Sequence, residues 1–104
     1  MEKHDWASLE RSWLELTRKR LPAEAAARDW PVSADHCFQR ILLDNACGGC
    51  WYDHISGRPA YAAADSALLL RALHLGEAVL DGNGDLIQLN ARSLVWRKQR
   101  RNAR

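Results

Sequence analysis

The sequence predicts an all-α fold, a compact bundle of four to five short helices in a single domain. Three observations carry this reading. Apolar residues recur at spacings of three and four over most of the 104 residues, as helices buried on one side require. No segment alternates apolar and polar residues for long enough to make a good strand. Stop signals punctuate the chain at Trp30-Pro31, Gly48-Gly49, Ser56-Gly57-Arg58-Pro59 and Asp81-Gly82-Asn83-Gly84.

Asp5 is a good N-cap, and Trp6, Leu9, Trp13 and Leu16 follow on one helical face, which predicts a helix over residues 5–20. Arg18, Lys19 and Arg20 complement the negative end of its dipole. Pro22 suits the first turn of a second, Ala-rich helix ending near Arg28. Ser33 or Asp35 caps the next, whose apolar positions are Phe38, Ile41, Leu42 and Ala46. Gly48-Gly49 costs a helix roughly 2 kcal/mol relative to alanine, so the helix either stops there or continues with a kink. Trp51, Tyr52 and Ile55 resume the apolar pattern. Residues 65–80 carry a wide stripe of Leu68, Leu69, Ala72, Leu75 and Val79, a core helix. Asp85 caps the last helix, with Leu86, Leu89, Ser93 and Trp96 on one side and Ile87, Leu94 and Val95 widening the stripe. Trp6, Trp13, Phe38, Ile41, Leu42, Trp51, Leu69, Ala72, Leu75, Val79, Leu89 and Trp96 are the expected core.

A hydrophobic share of 47% is ordinary for a globular protein. No apolar run approaches the roughly 20 residues that span a bilayer, so no membrane partner is expected. The start, M-E-K-H-D-W, lacks a secretory signal, and the expected location is cytoplasmic. The net charge of +2 conceals an asymmetry. Residues 86–104 hold six basic and no acidic side chains, against nine basic and 13 acidic in residues 1–85. The chain therefore divides into a helical domain, residues 1–97, and a basic, disordered tail, residues 98–104, an end that attracts polyanions.

Chemistry-bearing side chains concentrate between Cys47 and Tyr61, in C-G-G-C-W-Y-D-H-I-S-G-R-P-A-Y. Cys47-x-x-Cys50 has the spacing of half a zinc knuckle, and His54 with Cys37 or His36 would complete four ligands. A second C-x-x-C or an H-x-x-x-H is missing, so buried thiols in a helical core are the competing reading. A redox pair needs an acidified thiolate at a helix N-terminus, whereas this pair follows a helix. Calcium is disfavoured at Asp81–Asp85, because the Gly and Glu of an EF-hand fall on Leu86 and Arg92. Phosphate-binding glycine loops and a nucleophile elbow are absent.

Trp51, Tyr52, Asp53, His54, Arg58 and Tyr61 either lock a loop or form a recognition patch. Arg97, Lys98, Arg100 and Arg101 extend the patch electrostatically, in a tail that can contact phosphates. The ordered pattern H-C-F-x-R-I-x-L-D, W-Y-D-H-I, R-P-A-Y and L-N-x-x-S-L-x-W-R, spanning His36 to Arg97, resembles a group of short bacterial helical proteins with no assigned activity. Some of that group carry acetyltransferase labels. This chain has neither the strand-rich pattern nor the Gly-rich pyrophosphate loop of that fold, and the resemblance implies no chemistry to carry over. The expected function is a small non-enzymatic adaptor or regulator without a cofactor. It would bind a protein or nucleic acid through the Trp51–Tyr61 segment and the basic end. The alternative is a zinc-binding protein or metal-dependent enzyme built on Cys47, Cys50, His54 and Cys37.

Overall fold

Where the chain starts its helices, short side chains do the capping. In the computed structural model, which describes residues 5–103, Asp5, Asp65 and Asp85 each accept the backbone N–H three residues on, at 2.7, 2.8 and 3.2 Å. They open α1 (Trp6–Glu15), α5 (Ser66–Leu80) and α6 (Leu86–Asn102). Between them lie α2 (Leu21–Ala25), α3 (Asp35–Cys47), a 3₁₀ turn (Trp51–Asp53) and the one-turn α4 (Ala60–Ala63). The described residues contain no strand, and the fold is all-α. The radius of gyration, 13.4 Å, is that of one packed unit of this length, about 13 Å.

The first two expected helices are one. A π-turn (Leu16–Arg20) joins α1 to α2, with the Leu21 N–H donating to the Leu16 carbonyl. Pro22 has no N–H to give and its ring crowds the carbonyl four residues back. Widening the preceding turn by one residue lets the helix pass the proline instead of ending before it. Thr17 fixes this turn: its buried hydroxyl donates to the Trp13 carbonyl at 2.9 Å and accepts from Gln39 of α3 at 3.0 Å. At α3 the expected cap shifts. Ala34 stands at the cap position without a side-chain bond, and Asp35 lies inside the first turn, accepting the His36 N–H at 2.8 Å.

Gly48-Gly49 ends α3. Gly48 takes φ +73°, and the Gly48 and Gly49 N–H groups return to the carbonyls of Asn45 and Asp44 at 3.3 and 3.1 Å. Gly82, at φ +82°, closes α5 in the same way, and Arg28 adds a second lid by donating to the Val79 and Leu80 carbonyls at 3.2 and 2.9 Å.

α3 packs against both α5 and α6, and α1 against α5. Of the expected core, Trp13, Phe38, Ile41, Leu42, Leu69, Ala72, Val79 and Leu89 are buried, while Trp6, Trp51 and Leu75 are half-buried against it. Trp96 is not part of that packing. Ile87, Leu94 and Val95 are 64, 52 and 52% exposed, so they do not widen the buried stripe of α6. The reason is position: α6 rests chiefly on α3, and one neighbour covers only the narrow row Leu86, Leu89 and Ser93. No helix among the described residues is long and apolar enough to cross a membrane.

Candidate functional site

The site grows from one buried carboxylate. Asp44, on the last full turn of α3, has no solvent exposure and is surrounded by donors from two other elements. Its Oδ1 accepts the Trp51 N–H at 2.9 Å and an Arg97 N–H at 3.1 Å. Its Oδ2 accepts the Ser93 hydroxyl at 2.6 Å and the Arg97 Nε–H at 2.8 Å. A buried carboxylate is tolerable only when paired and hydrogen-bonded in this manner. The bidentate fork pins Arg97, whose side chain is 16% exposed. Burial works against the Arg97 charge, and the bonds to Asp44, with Tyr52 nearby, outweigh it and hold its pKa above the ordinary value.

The seam extends along both helices. Arg40, one turn before Asp44, donates to the Ser93 hydroxyl at 3.0 Å and to Asn90 Oδ1 at 2.9 Å. Asn45 bridges the Ile41 and Leu89 carbonyls at 2.8 and 2.9 Å. Because Asp44 caps the Trp51 N–H, the 3₁₀ turn is anchored to the seam, and Tyr52 is presented beside the end of α6. Tyr52 is 43% exposed, and its ring lies edge-on to Trp51 with centroids 4.6 Å apart. The Arg97, Arg100 and Arg58 guanidiniums stand 4.8, 5.2 and 5.8 Å from the Tyr52 centroid. Arg58 is also 5.8 Å from the Trp51 ring.

Residues 98–102 of the basic end are therefore helix and not disordered tail, while Arg104 lies outside the described residues. α6 continues through Asn102 because residues 86–102 contain no Gly or Pro, and because Arg97–Asp44 and Arg100–Asp53 contacts tether its last turns. Arg97, Arg100 and Arg101 share one face at i, i+3 and i+4, while Lys98 is exposed and outside the two cavities they line. Asp53 pairs with Arg100 at 3.0 Å, not with Arg58. Tyr61 packs half-buried on the core and lines neither cavity. His54 is exposed.

A cavity of about 440 Å³ opens between α3, the 3₁₀ turn, the Arg58–Ala60 segment and α6, and its lining includes Arg40, Arg58 and Arg97 together with Leu43, Trp51 and Ala60. A second, of about 310 Å³, lies between Cys50, Tyr52 and the arginines 97, 100 and 101. Among the described residues, Arg40, Arg58 and Arg101 have no carboxylate within 4.0 Å.

The metal ligand set is not assembled. Among the described residues no three His, Cys, Asp or Glu side chains stand together to hold an ion. Cys37 sits in the first turn of α3 and Cys47 at its end, about 15 Å of helix apart. Cys50 is buried, His54 is exposed, and all three cysteines are free. Burial, with the Asp44 charge nearby, pushes the Cys47 thiol up from 9.0 to about 11, the opposite of an acidified thiolate. Its thiolate is then scarcer at neutral pH than that of an ordinary cysteine, and native alkylation of Cys47 by iodoacetamide is expected to be slower by about tenfold, since a more basic thiolate partly offsets its lower fraction. Modification at the rate of a free thiol, read by mass spectrometry, would contradict this placement.

Comparison of the chain with protein-family models, with curated proteins and with solved structures gives no match. The site stands on its own geometry.

Proposed function

We propose that this chain is a small, non-enzymatic, cytoplasmic adaptor or regulator that binds single-stranded nucleic acid through the arginine-framed 3₁₀ turn and the end of α6. The supporting observation is charge packed around an aromatic: Arg58, Arg97 and Arg100 surround Tyr52, and Arg101 stands beside them. Among the described residues only Asp44 and Asp53 offset these four. Arginine forks suit phosphate oxygens, and their planes stack on bases as well as on Tyr52. The predominance of arginine favours phosphate over a diffuse acidic surface, which lysine would serve equally. Arg97 is held by the buried Asp44, so it positions Tyr52 and contributes little free charge; Arg58 and Arg101 make the contacts, and Arg100 joins them by exchanging its exposed Asp53 partner for a phosphate.

Fluorescence anisotropy with a labelled single strand tests this. The triple change Arg58→Ala, Arg100→Ala and Arg101→Ala is expected to weaken binding more than tenfold and to flatten the dependence of log K on log salt by ~2, at ~0.7 per phosphate contact on single strands. Affinity and slope unmoved by the triple change would overturn the assignment. Failure of the wild-type chain to bind any strand would do the same, and would turn the search to an acidic protein partner. Changing Arg97 as well would confuse the result, because it removes a structural ion pair.

A further inference from the structure

The 440 Å³ cavity has more charge than an internal phosphodiester needs. Of the three guanidiniums on its wall, Arg97 is neutralised by Asp44, while Arg40 and Arg58 have no carboxylate partner among the described residues. Two positive charges therefore face one space. Arg40 is also half-buried and fixed in place, its two bonds going to the neutral oxygens of Ser93 and Asn90 at 3.0 and 2.9 Å. Those bonds orient the guanidinium without cancelling it, and leave three of its five N–H donors unused. A half-buried cation with neutral partners keeps its charge available to the adjoining space, where it attracts an anion more strongly than a fully solvated one would.

The rest of the lining is of a different kind. Leu43, Trp51, Pro59 and Ala60 give an apolar surface next to the charged one. The volume lies within the roughly 300–1,000 Å³ of sites that take small molecules. The ligand that matches both kinds of lining carries close to two negative charges and a flat, largely apolar body beside them. A phosphomonoester has about −1.5 to −2 at neutral pH, whereas each internal phosphodiester of a strand has one.

We infer that this cavity is a receptor for the phosphomonoester of a nucleotide, with Arg40 and Arg58 holding the phosphate and the Leu43–Trp51–Ala60 wall holding the base. The inference rests on the reading of the neighbouring surface as a nucleic-acid site and adds what that surface does at a chain end. The same chemistry has two sources, a phosphorylated strand terminus and a free nucleoside monophosphate.

The test compares oligonucleotides of one sequence that carry a 5′-phosphate, a 3′-phosphate or hydroxyls at both ends, alongside adenosine monophosphate. Binding of the full-length chain is read by anisotropy competition and by amide chemical shifts. A phosphorylated end is expected to bind about tenfold tighter than a hydroxyl end, the worth of a charge-assisted hydrogen bond or two. Arg40→Gln should remove that preference while leaving the salt-dependent binding of hydroxyl-ended strands in place. Arg58→Gln should also bring the ratio of phosphate-ended to hydroxyl-ended affinity to one, while weakening every strand alike by its one phosphate contact, a salt slope lower by ~0.7. Circular dichroism melts verify that both variants fold; Arg58 is exposed and has no hydrogen bond to lose, so Arg58→Gln keeps the test sharp if Arg40→Gln unfolds.

Equal affinity for all three strands, with no nucleotide-induced shifts at the Arg40 and Arg58 amides, overturns the inference and leaves the polymer reading intact. Nucleotide binding at those residues with no strand binding supports the cavity and removes the polymer reading. Absence of both overturns both.

Discussion

Asp44→Ala is expected to destabilise the fold by roughly 3–5 kcal/mol, the cost of removing one partner from a buried ion pair. The change strands three groups at once: the Arg97 guanidinium, the Ser93 hydroxyl and the Trp51 N–H all lose their acceptor. Arg97 keeps some access to water, so the loss should fall toward the lower end of that range. Arg97→Leu alone leaves the Asp44 carboxylate buried without its cation and should cost a comparable amount. The double variant should be milder than the sum of the two, since replacing both charges by apolar groups removes the uncompensated ion. A coupling of ~1.5–3 kcal/mol in urea denaturation would agree with the geometry. Additivity within ~0.5 kcal/mol would mean that the pair is not formed in solution. The effect also reaches the surface. With Asp44 gone the 3₁₀ turn loses its anchor, so strand binding should suffer in any variant that still folds.

Asp44 also marks the limit of what the sequence discloses. The helices and two of their caps are local matters: Asp5 and Asp85 need only the N–H three residues away, so spacing identifies them, and Asp65 caps α5 in the same way, although no cap is assigned there from sequence. Gly48-Gly49 likewise advertises a stop, although choosing between stop and kink needed the positive φ of Gly48. The polar seam is different. Arg40, Asp44 and Asn45 interrupt the apolar run of α3, and Ser93 interrupts that of α6, but which polar residue meets which depends on how the two helices cross. The available hint was weak: Ser93 lies on the same face as Leu86 and Leu89, and Arg97 lies one turn further on that face. The basic tail failed as an expectation for a related reason. Its composition reads as solvated, and only the tertiary tethers to Asp44 and Asp53 show why the last turns of α6 stay helical. Trp51, Tyr52, Arg58, Arg97, Arg100 and Arg101 do converge, whereas Cys37 and Tyr61 belong elsewhere in the fold.

The second large effect is expected at Gly76, in the middle of α5. Helix propensity alone says that Gly76→Ala should stabilise by about 1 kcal/mol, because alanine restricts the unfolded chain and glycine does not. Packing says the reverse. A Cβ at this position would stand 2.5 Å from Leu16 Cδ2 and 2.9 Å from Leu42 Cδ1. Both leucines are fully buried and hemmed in, so neither can swing aside cheaply. Overpacking of this kind costs ~1–3 kcal/mol, which exceeds the propensity gain, and Gly76→Ala should come out destabilising. Gly76→Val adds two further methyls and a β-branched side chain to the same space, and a loss of ~3 kcal/mol or more is expected. The π-turn is part of the cause. Leu16 is its first residue, and the contact brings that segment, α3 and α5 together at one glycine. Leu16→Ala combined with Gly76→Val should therefore recover part of the loss, because the smaller side chain vacates the volume that the larger one needs. A stabilised Gly76→Ala, measured by urea denaturation, would show that the three segments are not as close as described. The detour that Pro22 imposes on the first helix would then have to be accommodated somewhere other than against α5.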